Sequence, residues 1–229
     1  MKRWVLMFFD QCENMQYTGS FKVRGALNKL LTMTSEERKK GVIAASSGNH
    51  GVATCYAASK LGDTHVTIYV PKGASEAKIG AMRAMKGEVV QIESTNCMDG
   101  ELAARKSADE QGKTFLSPYN DRDVMMGQST IALEIFKQLK AQYQQPDAVL
   151  VSVGGGGLIG GISSYVKSVL PSCEVIGCQP LNSNVMMQSV EAGKILDDVE
   201  EFSTLSDGTA GGRDIPFASY IHRITLYRH

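Results

Sequence analysis

The stretch DAVLVSVGGGGLIGG, Asp147–Gly161, carries the architecture of the chain. Its first half, Asp147–Val153, is a near-continuous apolar run with β-branched residues, which predicts a strand buried on both faces of a parallel sheet. Four consecutive glycines follow, Gly154–Gly157, and a helix is expected over 158–170. Lacking Cβ atoms, these glycines let the backbone turn sharply and bring N–H groups close to an anion, while the new helix adds its positive end and unpaired donors. A tight strand-to-helix turn needs only one or two glycines, so four in a row favour a phosphate site over a purely structural turn.

Two kinds of phosphate ligand are weighed from the loop itself. Gly155, Gly157 and Gly160 satisfy the spacing of a dinucleotide fingerprint. That fingerprint asks for an acidic residue at the end of the next strand to hold a ribose. The next expected strand, Glu174–Cys178, is followed by Gln179-Pro180, which supplies no charge and disfavours a nicotinamide cofactor. A nucleoside-triphosphate loop is disfavoured too, because no Gly-Lys-Ser/Thr follows the glycines.

Outward from this stretch, strands and helices alternate. An apolar strand over 4–9, helices from Arg24 and near Ser35, and a strand over 42–45 open the pattern. A helix over 52–61, a strand over 65–70, a helix over 76–85, a strand over 88–92 and helices over 99–111 and 128–142 continue it. This order predicts an α/β fold with mostly parallel sheets flanked by helices. Two units are expected, a smaller one over 41–122 and a larger, cofactor-binding one made of 1–40 and 123–229, with a cleft at their seam.

The 229 residues are long enough to bury a core, and 43% apolar with 21% charged residues is ordinary for a globular protein. Formal net charge is zero, so bulk electrostatics recruit neither nucleic acid nor an anionic membrane. No stretch approaches the ~20 apolar residues of a membrane span. Met1–Arg3 before Trp4–Phe9 reads as the start of a buried strand rather than a secretory signal, since Asp10 stops the apolar run. Cys12, Cys55, Cys97, Cys173 and Cys178 are odd in number and form no CxxC pair, which suits free thiols in a reducing, cytoplasmic setting.

Two further segments read as parts of a site. In TGSFKVRG, Thr18–Gly25, Lys22 lies among small residues beside Phe21, an environment that desolvates the amine and frees it for imine chemistry. In SSGNHG, Ser46–Gly51, small polar residues stand where a strand feeds a helix, so backbone donors and short side chains face one point. His50 reads first as a structural hydrogen-bonder at the helix start, with acid–base work as the alternative.

Together, Lys22 in TGSFKVRGA, SSGNHGVA at 46–53 and SVGGGGLIGG at 152–161 have the order and separations of one group. The chain resembles the serine/threonine dehydratase family, which includes serine racemase. The resemblance runs from about Glu13 to Gly212. It implies a fold-type II pyridoxal-phosphate enzyme, the tryptophan-synthase-β-like fold, with an incomplete large domain. It implies pyridoxal 5'-phosphate as cofactor and a small amino acid as substrate. Lys22 would form the Schiff base, Phe21 would pack on the pyridine ring, and Asn49 would bond the ring's phenolic oxygen. Gly154, Gly155, Gly156 and Gly157 would cup the phosphate. Ser46, Ser47, Gly48, Asn49 and His50 would form the substrate segment, with Ser47 on the ring face opposite Lys22.

The activity implied is L-threonine or L-serine ammonia-lyase: removal of the Cα proton by the freed lysine, loss of the β-hydroxyl, and release of a 2-oxo acid and ammonia. Racemisation uses the same proton abstraction with a second donor, for which Ser47 is placed. Some relatives bind a divalent cation through an acidic residue before the proline matching Pro180; Gln179 stands there, so no metal is expected at this position. Relatives are commonly dimers or tetramers, which leaves a homo-oligomer open. Relatives also carry residues before the equivalent of Glu13 and about a hundred after Gly212, where Arg213–His229 reads as unrelated. The expectation is a truncated or alternatively spliced chain with exposed apolar sheet surface, and an isoform of little or no activity is the alternative to a working enzyme.

Overall fold

A computed structural model describes residues 7–196, 199–209 and the backbone of 225–226. In chain order the first elements are helices α1 (Lys22–Thr32) and α2 (Ser35–Lys40), strand β1 (Val42–Ala45), helix α3 (Asn49–Leu61) and strand β2 (Val66–Val70). Helix α4 (Glu76–Ala84), strand β3 (Glu88–Gln91), helix α5 (Cys97–Gln111) and the short strand β4 (Thr114–Phe115) follow. The strands form a parallel sheet ordered β3-β2-β1-β4. Val42, Ala44, Val66, Ile68 and Val70 pack with residues of α1, α3 and α4, while Ile43 on the opposite face packs with Ala104 and Ala108 of α5. Burial on both faces is why these strands read as apolar runs rather than alternating ones.

The strand order contains a reversal. From β1 the chain steps to β2 and β3 on one side, then α5 carries it back to β4 on the other side of β1. The carboxyl ends of β1 and β4 therefore flank a switch point, where open α/β sheets form ligand crevices.

The rest of the chain adds helix α6 (Arg122–Ala141), strand β5 (Ala148–Ser152), helix α7 (Gly157–Val169), strand β6 (Glu174–Cys178), helix α8 (Val185–Ala192) and strand β7 (Thr225–Leu226). Strands β5, β6 and β7 form a second parallel sheet in that order. Val149, Val151, Val153 and Val175 face Ile131 of α6 and Ile159, Ile162 and Val166 of α7. On the other face Leu150 is 61% exposed, which corrects the expectation that Asp147–Val153 is buried on both sides.

Helix α6 ties the two halves together, packing on both α1 and α7. The contacts are close enough to involve backbone. A Cβ on Gly127 would stand 2.6 Å from Gly25 Cα, and one on Gly161 would overlap the carbonyl oxygen of Met125. Arg24 locks α1 to α6 and to the preceding segment, donating to Glu13 at 2.8 and 2.9 Å and to Glu134 at 2.7 and 2.6 Å.

Several element boundaries move. Helix α6 starts six residues before the expected Gln128, because Asp121 caps it by accepting from the N–H groups of Asp123 and Val124. Helix α3 starts at Asn49 rather than Val52, which puts Asn49 and His50 in its first turn. The strand expected over 4–9 is corrected at Met7, Phe8 and Phe9, which are exposed and in no regular element; Trp4–Leu6 lie outside the described residues. The expected change of character at Arg213–His229 also lies outside them, save for Thr225 and Leu226, whose backbone pairs with β6.

Candidate active site

Lys22 is the first residue of α1, partly buried behind the Thr18–Phe21 turn. Its Nζ donates to the carbonyl oxygen of Pro118 at 2.8 Å and lies 5.2 Å from the centre of the Phe21 ring. Desolvation lowers its pKa from 10.5 to about 8, because burial penalises the ammonium form. Phe21 itself packs into the core of the second sheet, alongside residues of α7.

His50 is 3% exposed, and its Nε2 lies 3.0 Å from the carbonyl oxygen of Leu116. A carbonyl can only accept, so Nε2 carries the proton. Burial first, and the nearby Lys22 charge second, push its pKa down to about 3, while the bond to Leu116 opposes that shift. The imidazole is therefore neutral near pH 7, and Nδ1 is a buried acceptor with no hydrogen-bond partner among the described residues.

The turn before His50 follows β1 directly. Ser46 Oγ accepts from the Gly48 N–H at 3.1 Å, which shapes the turn. Gly48 precedes α3 and offers no side-chain cap, so the first-turn donors of this helix face outward unpaired by a cap. Ser47 and Gly48 are partly buried and Asn49 is exposed; the side chains of Ser47 and Asn49 make no hydrogen bond among the described residues.

At the end of β5 the glycine loop has an unexpected neighbour. A Cβ on Gly155 would stand 2.5 Å from the Tyr119 ring, and one on Gly157 would stand 2.7 Å from Tyr119 Cα. Gly156 has φ +83°, the left-handed region, and precedes α7 without a side-chain cap. Gly154 faces Thr209, in the turn after Ser206, at 3.5 Å.

One short segment connects all of this. Leu116 meets His50, Pro118 meets Lys22, and Tyr119 lies on Gly155 and Gly157. Leu116–Tyr119 leaves β4 at the switch point beside β1, so the three segments singled out in the sequence converge on it. The signal of this stretch in the sequence was the Ser117-Pro118-Tyr119-Asn120 run between a two-residue strand and a capped helix, too short to register as a motif.

Comparison with known proteins follows the same line. A family profile described as "Pyridoxal-phosphate dependent enzyme" matches residues 6–226. The chain belongs to this family. The match extends past Gly212, where the motif resemblance stopped, and includes the β7 residues paired with β6. The catabolic L-threonine dehydratase of Escherichia coli K12 is 40% identical over 200 residues, covering 87% of this chain and 59% of that protein. Serine racemase of Arabidopsis thaliana is 39% identical over 200 residues, covering 87% and 58%. The solved structure of processed threonine deaminase isoform 2 from Solanum lycopersicum superposes with a TM-score of 0.85 at 32% identity, covering 94% of this chain and 62% of that one. The chain thus spans less than two thirds of the length of these relatives.

The residues present fit the family's cofactor. Buried polar atoms without partners among the described residues include Thr18 Oγ1, Ser20 Oγ, His50 Nδ1 and Asn120 Oδ1, all within a few residues of Lys22 or its contacts. Buried polar groups in folded proteins are normally paired, so their concentration here marks a place built for a polar ligand. The uncapped start of α7 behind four glycines suits a phosphate, and the desolvated Lys22 amine suits an aldehyde. Gln179, expected to leave a cation site without its carboxylate, accepts from the Met187 N–H at 2.9 Å in the first turn of α8.

No helix among the described residues is long and apolar enough to cross a membrane.

Proposed function

We propose that this chain is a pyridoxal-phosphate-dependent ammonia-lyase acting on L-threonine or L-serine, with residues 41–122 as its smaller unit and the rest as its cofactor-binding unit. The observation that carries this reading is the convergence of a desolvated Lys22, a neutral His50 and the glycine loop on Leu116–Tyr119. When bound, pyridoxal phosphate supplies the electron sink that stabilises negative charge at the Cα of the amino acid.

This chain's own residues supply the rest. The α7 N-terminus behind Gly154–Gly157 holds the phosphate, and Phe21 packs beside the ring. Lys22 holds the cofactor through Nζ. The free Nζ would be the base for the Cα proton, and a pKa of about 8 keeps an appreciable share of it in the free-base form near neutrality. Pro118 O is a hydrogen-bond acceptor that keeps the amine within the site. Ser46, Ser47 and the N–H groups at the start of α3 would receive the substrate carboxylate, and the Asn49 amide, without a hydrogen bond among the described residues, would hold the ring oxygen. Loss of the β-hydroxyl and hydrolysis then release a 2-oxo acid and ammonia. The five unpaired cysteines support a reducing, cytoplasmic setting.

Serine racemase is the second reading, favoured by the 39% identity to the Arabidopsis enzyme and by a Ser47 hydroxyl without an internal partner. One assay separates the two. With pyridoxal phosphate and L-serine or L-threonine, the lyase releases 2-oxo acid, whereas a racemase accumulates D-serine from L-serine. Full turnover by a Lys22→Ala variant would reject the catalytic assignment.

A further inference from the structure

Helix α4 belongs to no motif of the site, yet it delivers a charge to it. Met82 is fully buried, and a Cβ on Gly51 would stand 2.7 Å from its Cε. One turn earlier on the same helix face, at the i−4 position, is Lys78. A Cβ on Gly48 would stand 3.8 Å from Lys78 Nζ and 4.0 Å from Ser46 Oγ. The Lys78/Met82 spacing on α4 thus matches the Gly48/Gly51 spacing at the start of α3. Met82 and the buried Ile79 anchor the helix, and Lys78 is held over the Ser46–Asn49 turn.

Lys78 is exposed and has no ion pair or hydrogen bond among the described residues, unlike Lys29, which binds Asp121 and Asp123, and Lys72, which binds Glu93. An ammonium without a counter-ion among the described residues thus lies beside Gly48, the uncapped residue before α3, with the Ser46 hydroxyl near the same point. Both the charge and the donors select an anion. Gly48 leaves the approach open, since any larger side chain there would fill the gap between Lys78 and the turn.

We infer that Lys78 is a specificity-determining residue that captures the α-carboxylate of the amino-acid substrate against the Ser46–Asn49 turn. This rests on the amino-acid substrate reading above. Lys78 makes the turn prefer a free α-amino carboxylate over its neutral amide. As an exposed cation it acts on affinity, with Lys22 retaining the proton chemistry.

The test is a titration of the ¹⁵N-labelled chain with L-threonine and with L-threoninamide, following the Gly48 and Asn49 amide signals. The wild type should bind L-threonine more tightly than the amide. Lys78→Met should weaken L-threonine binding about threefold, the scale of one solvent-exposed charge pair, and leave the amide unchanged. Lys78→Arg should restore most of the preference, which a merely structural role would not predict. Equal L-threonine affinity in wild type and Lys78→Met overturns the inference, as does equal weakening of both ligands. Borohydride fixation of pyridoxal phosphate on Lys22, measured on the same samples, reports separately on the cofactor reading. Fixation without a Lys78 effect removes this inference alone; a Lys78 effect without fixation leaves a carboxylate site and removes the cofactor; absence of both removes the two together.

Discussion

Lys22 shows how much one residue's surroundings can be read in advance. Small neighbours and one aromatic implied desolvation, and burial does lower its pKa to about 8. The folded-state pKa lies below the unfolded value of 10.5, so the unfolded chain binds more protons between these limits and stability rises with pH across that window. Below about pH 8 the full cost of a buried ammonium is present. Lys22→Met is therefore expected to stabilise the chain at pH 7 by roughly 1–3 kcal/mol in urea unfolding, the scale of removing one desolvated charge. An unchanged or lowered midpoint would show that the amine is solvated. His50 follows the same sign lower on the scale. Its pKa falls from 6.5 to about 3, so acidification through that interval should destabilise the protein, and His50→Gln should flatten the dependence. The partner of His50 was not legible, because the Leu116 carbonyl lies 66 positions away and a backbone acceptor leaves no mark in sequence.

At the scale of elements, the glycine loop has two jobs that sequence could not separate. Gly156 needs its left-handed φ and opens α7, as a phosphate turn requires. Gly155 and Gly157 also admit Tyr119, a contact visible only once β4 and β5 are placed. Gly155→Ala is expected to cost about 1–3 kcal/mol by overpacking even without cofactor, and Tyr119→Ala should recover much of that loss. A denaturant double-mutant cycle measures it; zero coupling would leave the phosphate as the only reason for glycine at 155. Strands β1, β2 and β6 and the core of each long helix were legible because apolar periodicity reports burial directly. Helix α6 was begun late because Arg122–Gly127 is mixed in polarity and is held as helix by the Asp121 cap and by packing on α1. Strand β4, two residues long, and helix α8 gave no periodicity to find.

At the scale of the whole molecule, the site exists because α6 fixes α1 beside α7 and because the sheet order reverses between β1 and β4. Arg24 is the main polar clamp on the first of these. Its guanidinium is raised further above its ordinary pKa, first by the Glu134 hydrogen bond, and Glu134 is correspondingly held below the usual carboxylate range. A depressed carboxylate contributes stability at neutral pH that is lost as pH falls through its folded-state pKa. Arg24→Leu should cost roughly 2–3 kcal/mol, largely because it leaves the mostly buried Glu13 carboxylate with the neutral Gln11 amide in place of a cation, and should reduce the acid sensitivity of unfolding. The α/β class and the two parallel sheets were readable from alternation. The exposure of Leu150 on β5 was not, since Leu150 reads as core in sequence and stands in solvent. Leu150→Lys should leave the thermal midpoint almost unchanged and lower self-association in light scattering.

The most direct measurement is borohydride reduction of the purified chain mixed with pyridoxal phosphate, followed by peptide mass mapping. A desolvated Lys22 held by Pro118, next to the Tyr119 that meets the glycine loop, predicts a visible absorbance band and a single reduced pyridoxyl group on the peptide containing Lys22, lost in Lys22→Ala. No band, or a label spread over surface lysines with Lys22 unmodified, would contradict the assignment of this site.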